Sequence, residues 1–358
     1  MSIIMFCTVV SAAGCGGADG VAAESDPSTS TSTASTWSIP TTAARSPAPV
    51  IADEERQAQL DELTAYDPAL ALDERVVHST IEVSGGVRVS DFAFASPARG
   101  EVTGWLVEPP AAVPGPYAGV VYLHGSETSG DDLRDEAVAM ARVGAVALVI
   151  DAPFARPSGS VRRHLESYEE PELERDMMAQ AVVDVRRAYD LLAARADVDW
   201  ARLGYVGHSW GASLGADVAA VDDRPVAVVM IAPRPSWTGF LATSDAEWVT
   251  TRRRIVGEDA WLAYLTALAP FDALPQVSRV DGGRLLLQYG RADDVVPSDV
   301  AQELVDALPA GGTVQWFDGA GHALDHAATA ARCAWLSERL GLPAVPVDAL
   351  AEVGLPDD

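Results

Sequence analysis

The sequence predicts an α/β fold, with a mainly parallel sheet, helices on both of its faces and an antiparallel hairpin on the N-terminal side. Three observations carry this expectation. Continuous apolar runs at 118–123 (AGVVYL), 144–150 (GAVALVI) and 225–232 (PVAVVMIA) are what strands buried on both faces require. Between them lie segments of helical period. In 171–195, for example, Met177, Ala181, Val185, Tyr189 and Leu192 recur at helical spacing behind a proline at the first turn. Strands and helices then alternate through most of the chain, which implies right-handed crossovers and a sheet covered on both sides.

In order, residues 52–66 read as a short polar helix, and the alternating runs 86–95 and 101–108 form a hairpin about Pro97-Ala98-Arg99-Gly100. The buried strand 118–123 ends at His124-Gly125; a helix at 131–142, the strand 144–150 and the long crossover helix follow. Leu203-Gly204-Tyr205-Val206 is a strand leading into Gly207-His208-Ser209-Trp210-Gly211 and a helix of small residues at 212–220. After the strand 225–232 come a mostly helical stretch, a strand at 284–289, a helix at 298–308, a strand at 313–317 and a last helix at 325–340. The stretch at about 235–277 has the character of a helical cap, and 343–358 is an acidic tail.

Composition limits the function. The chain has 358 residues, 48% hydrophobic and 22% charged, enough for a large folded core. Its net charge is −27, and all 25 basic residues are arginine. So acidic a surface repels phosphate backbones, which excludes nucleic acid as a partner. Cys7, Cys15 and Cys333 fit neither a disulfide framework nor a four-ligand zinc site. No glycine-rich phosphate loop or metal-ligand cluster is present, so neither cofactor nor metal is expected.

Residues 3–13 (IIMFCTVVSAA) have the length of an export signal and are too short to span a bilayer. The following Ala12-Ala13-Gly14-Cys15 resembles the bacterial lipobox, which would make 1–15 a signal peptide and Cys15 the lipid-modified residue; an ordinary cleaved signal or a buried first strand is the alternative. Residues 16–51, rich in Ser, Thr and Pro, cannot bury enough surface to offset chain entropy and read as a disordered tether. The expected protein is exported, membrane-attached through that anchor alone, with its catalytic domain at 52–342.

The chemistry concentrates in three loops. Gly207-His208-Ser209-Trp210-Gly211 fits G-x-S-x-G, in which a serine sits on a sharp strand-to-helix turn and the glycines relieve crowding. The pentapeptide is short; its setting between an apolar strand and a helix gives it weight. Serine is a poor nucleophile without a base, itself oriented by a carboxylate. Gly290-Arg291-Ala292-Asp293-Asp294 follows one strand and Gly319-Ala320-Gly321-His322 another, both at carboxyl ends, where open α/β sheets build their sites. The order serine, acid, histidine is that of one triad lineage.

On these residues the chain resembles the α/β-hydrolase superfamily, nearest its dienelactone-hydrolase-like and acyl-esterase branches, over about residues 80–342. The resemblance implies Ser209 as nucleophile, His322 as base and Asp293, three residues after the strand-ending glycine, as acid, with Asp294 as the alternative. It also implies an oxyanion hole from the amides of Trp210 and Ser126. His124 and Trp237 are candidate pocket residues. Trp237, Trp248 and Trp261 either line an acyl pocket or pack the core, and Arg252-Arg253-Arg254 is a solvated basic face or a carboxylate site. His208 is expected to pack under the nucleophile, and His326 to point away within the last helix. The implied activity is hydrolysis of a small-molecule carboxylic ester through an acyl-enzyme. Peptide or thioester cleavage on the same triad is the first alternative, although such peptidases carry a propeller for which too few residues precede position 80. A silent ligand-binding lipoprotein is the second.

Overall fold

The computed structural model describes residues 48–354 apart from 50, 77–80, 127 and 157–169. The signal, Cys15, most of the tether, His78 and His164 therefore lie outside the described residues.

The chain enters through helix α1 (Asp53–Leu63) and three antiparallel pieces, β1 (Glu74–Val76), β2 (Ile81–Glu82) and the expected hairpin of β3 (Arg88–Ala95) with β4 (Glu101–Glu108). Then follow β5 (Tyr117–Leu123), α2 (Asp131–Ala141), β6 (Ala145–Ile150), α3 (Pro171–Ala194), β7 (Val198–His208), α4 (Trp210–Val221) and β8 (Pro225–Ile231). Four helices come next: α5 (Trp237–Thr243), α6 (Glu247–Val256), α7 (Glu258–Leu268) and α8 (Ala273–Val277). The chain continues with β9 (Leu285–Gly290), α9 (Ser298–Ala307), β10 (Thr313–Phe317), α10 (His326–Arg339) and α11 (Val347–Ala351).

All the strands join one sheet in the order β1-β3-β4-β6-β5-β7-β8-β9-β10, with β2 on β3. From β6 to β10 every pairing is parallel; from β4 outward every pairing is antiparallel. The expected architecture is present. Period-two alternation explains why the sheet needs cover on both sides: Val121 and Leu123 face the core under α3 and α4, while Val120 and Tyr122 face the core under α2 and α10. These residues are almost wholly excluded from solvent, so each contributes on the order of 1.5–3 kcal/mol of apolar burial.

Two regions differ from expectation. β1 and β2 are too short to register in the hydropathy pattern, and they extend the antiparallel side beyond the hairpin. The acidic tail is partly built in: Val345, Ala349 and Val353 are buried in the core beneath α2 and α10, and Arg142 pairs with Asp348 at 3.5 Å and with Glu352. Apolar residues every four positions, not the net charge of the segment, decide its fate.

Helix α3 ties the loop ends together. Its buried Asp184 binds the Arg156 guanidinium at 2.6 Å and accepts the Ser96 hydroxyl, so the hairpin turn and the loop after β6 are fixed to one helix. Helix α7 packs on α3 and α8 on α4.

Candidate active site

The chain leaves β5 for β6 on one side and returns to β7 on the other, so the carboxyl ends of β5 and β7 flank the topological switch point. Crevices form there because the two following loops diverge. The β7 loop is the turn at Ser209, whose φ of 52° and ψ of −110° lie outside the regions open to ordinary residues. A Cβ on Gly207 would stand 2.5 Å from the Gly211 carbonyl oxygen, and one on Gly211 would stand 2.3 Å from that of Leu123. Both positions demand glycine. The Ser209 amide donates to Ile231 O at 2.8 Å, fixing the strained residue to the neighbouring strand. Two further non-glycine residues have positive φ, Ala232 after β8 and Leu324 after β10, so backbone strain among the described residues gathers at this edge.

His322 joins the other two loops to the serine. Its Nδ1 lies 2.8 Å from Asp293 Oδ2 and its Nε2 lies 2.8 Å from Ser209 Oγ. An ionised carboxylate only accepts, so Nδ1–H is the donor and Nε2 of the neutral ring is left to accept the serine proton. Asp293 Oδ1 accepts the amides of Val295 and Val296, each at 2.8 Å. Of the two adjacent acids, Asp293 is buried and Asp294 is exposed. The Arg291 and Ala292 amides donate to Phe317 O and Ala320 O, which holds the acid loop against the histidine loop.

His208 packs beside His322: its ring is 5.2 Å from that of His322, and its Nε2–H donates to the His322 carbonyl at 3.2 Å. Burial, then the neighbouring His322, lowers its pKa to about 4, so it stays neutral and adds no second charge beside an imidazolium. His326 is exposed at the start of α10.

His124 does not line an open pocket. It is wholly buried, with Nδ1–H donating to Gly125 O and Nε2 accepting the Ala152 amide, both at 2.8 Å, and burial lowers its pKa to about 4. Its role is to clamp the β5 loop to the end of β6. That loop passes close to Ser209, since a Cβ on Gly125 would lie 3.2 Å from Ser209 Cβ. Ser126, next along, is partly exposed, and the Trp210 amide opens α4, where the helix dipole favours developing negative charge.

The tryptophans divide. Trp261 is core, Trp248 is partly exposed against Phe240, and Trp237 is buried with the Arg234 guanidinium 5.4 Å from its ring. Arg253 departs from the solvated face: it turns inward and donates to Leu241 O and Ala242 O, because the inner side of α6 faces the carbonyl end of α5. Sequence reasoning missed Phe154, which packs edge-on against Trp210 and His124, and Arg234. Their position just beyond the ends of β6 and β8 was the available signal.

The family model of the prolyl oligopeptidase family matches residues 167–341. Two uncharacterized proteins of Mycobacterium tuberculosis strains are each 28% identical over 141 residues, 39% of this chain; the match spans 44% of their length, less than half. Among solved structures, an acetyl xylan esterase from Thermoanaerobacterium superposes with a TM-score of 0.66 at 17% identity, covering 82% of this chain and 96% of that one. An acetyl xylan esterase from Paenibacillus gives 0.64 at 17%, covering 79% and 92%. An S-formylglutathione hydrolase from Agrobacterium tumefaciens gives 0.56 at 20%, covering 75% and 100%. At these identities the likeness concerns the fold, and the fold agrees with the strand order and the serine elbow. The chain has the α/β-hydrolase fold.

Proposed function

We propose that the protein is a serine hydrolase that cleaves carboxylic esters through an acyl-enzyme. The observation that carries this reading is the pair of 2.8 Å contacts from one imidazole to Ser209 Oγ and Asp293 Oδ2. Ser209 Oγ attacks the acyl carbon as its proton passes to His322 Nε2, and Asp293 steadies the resulting imidazolium. The oxyanion accepts hydrogen bonds from the Trp210 and Ser126 amides. The C–O bond to the alcohol breaks, and the alcohol leaves with the proton held by His322. Water, deprotonated by the same imidazole, then releases the acid and restores the serine.

Ester cleavage is favoured by the likeness of the fold to the acetyl xylan esterases. The match to the prolyl oligopeptidase family favours peptide cleavage as a second reading, and both use the same proton relay. Comparing turnover of p-nitrophenyl acetate, a longer-chain p-nitrophenyl ester, a thioester and a peptide p-nitroanilide, with Ser209→Ala as control, separates them. The ester reading expects Ser209-dependent turnover greatest on esters; greater kcat/KM on the anilide would replace it with the peptidase reading. Export and a lipid anchor at Cys15 remain part of the proposal, supported by the N-terminal sequence. Cys15→Ser should release the protein from membranes into the soluble fraction, and unchanged membrane association would remove the anchor.

A further inference from the structure

Arg234, in the loop after β8, connects to the triad at both of its ends. Its backbone amide donates to Ser213 Oγ at 2.9 Å, and that hydroxyl donates to the Ser209 carbonyl at 3.1 Å. Its guanidinium lies over the Phe240 ring at 3.9 Å and donates to the Val295 carbonyl at 2.6 Å. Val295 C=O and Val296 N–H belong to the same peptide group. That N–H is one of the two that bind Asp293 Oδ1, at 2.8 Å. A cation on the carbonyl end of a peptide polarises it, strengthening the donor at the other end and fixing the plane of the group.

The side chain is 6% exposed, and no carboxylate among the described residues lies within ion-pair distance of it. Burial lowers its pKa to about 10, with Asp293 acting in the opposite direction, so it is charged at neutral pH. A buried cation held by a carbonyl and aromatic faces, with no anion among the described residues in contact, is costly unless its charge is used.

Resting on the serine-hydrolase reading above, we propose that Arg234 is a positioning residue that orients and electrostatically supports Asp293 through the Val295–Val296 peptide. The relay then runs from guanidinium to peptide to carboxylate to imidazole to serine. Among the described residues, the groups bearing on His322 are Asp293 on the β9 loop and His208 at the end of β7; behind these, Arg332 on α10 acts on His208 and Arg234 on Asp293. Removing the Arg234 charge takes a cation away from the relay and favours positive charge there, so the acid limb of the rate profile moves to higher pH.

The test compares wild type, Arg234→Met, Arg234→Lys and Ser209→Ala on p-nitrophenyl acetate across pH 5 to 9, with folding followed by circular dichroism. If wild-type turnover does not depend on Ser209, the hydrolase reading itself fails. Given that dependence, Arg234→Met should lower kcat on the order of tenfold or more, leave KM within about threefold and move the acid limb to higher pH. Arg234→Lys should keep the limb near its wild-type position and recover part of kcat. A wild-type kcat and limb in Arg234→Met would overturn the inference, as would a loss carried in KM, which marks a substrate contact. Equal impairment of the Met and Lys variants with both limbs unmoved would reduce Arg234 to packing. Should Arg234→Met not fold, Arg234→Gln, which keeps an amide donor without the charge, is read by the same criteria.

Discussion

At residue scale, local geometry separates two neighbouring carboxylates. Asp293 and Asp294 are chemically alike, but only Asp293 is buried with one oxygen on two amides and the other on His322. Asp293→Asn leaves an amide that can donate to Nδ1 and so favours the wrong tautomer, with Nε2 protonated. Its kcat should drop by about 10⁴-fold, whereas Asp294→Asn should stay within a few-fold of wild type. The reverse ranking, read from initial rates on one ester, would reassign the acid. The family resemblance, which implies an acid three residues after the strand-ending glycine, already favoured Asp293. His124 was legible as a loop residue and misleading as a pocket residue, because nothing in the local sequence reveals that Ala152, 28 positions away, supplies its partner amide.

At the scale of elements, the serine turn works because its flanking strand and helix approach to backbone contact. Gly211→Ala would drive a methyl group into the Leu123 and His124 carbonyl oxygens. The cost should be about 2 kcal/mol in stability, and the displacement of α4 should lower activity beyond what the stability loss explains. Urea unfolding together with rates on folded protein checks both, and a variant equal to wild type in each would show that the elbow has room to spare. The long elements were legible because burial on both faces leaves a continuous apolar run and a covered helix leaves a 3.6-residue period. β1 and β2 were not, since elements of two or three residues carry too few positions to set a period, and α11 was hidden by the acidic residues around it. Arg253 was misread for a related reason: three consecutive arginines look like a charged face, yet successive positions on α6 point in different directions, and one of them meets the buried carbonyls of α5.

For the whole molecule, the loops of β5, β7, β8, β9 and β10 converge on a single edge because the parallel sheet aligns all their carboxyl ends. That convergence couples site and stability through buried histidines. His208 is held neutral with a pKa lowered to about 4. In the unfolded chain a histidine takes up its proton near ~6.5. Between those values the unfolded state binds the proton and the folded state does not, so the contribution of this group is complete above the unfolded value and is lost as pH falls toward the folded one. The loss amounts to at most about 3 kcal/mol. Between pH 7.5 and 4.5 the unfolding free energy of wild type should therefore fall more steeply than that of His208→Gln; parallel slopes in urea titrations would contradict the buried neutral assignment.

The account depends on a serine made nucleophilic by its contact with His322. The most direct measurement is reaction with a fluorophosphonate followed by peptide mass mapping. Wild type should carry one adduct, on the peptide containing Ser209, with none on Ser209→Ala and a rate lowered by orders of magnitude in His322→Ala. An unreactive wild type, or an adduct that persists unchanged in Ser209→Ala, would contradict it.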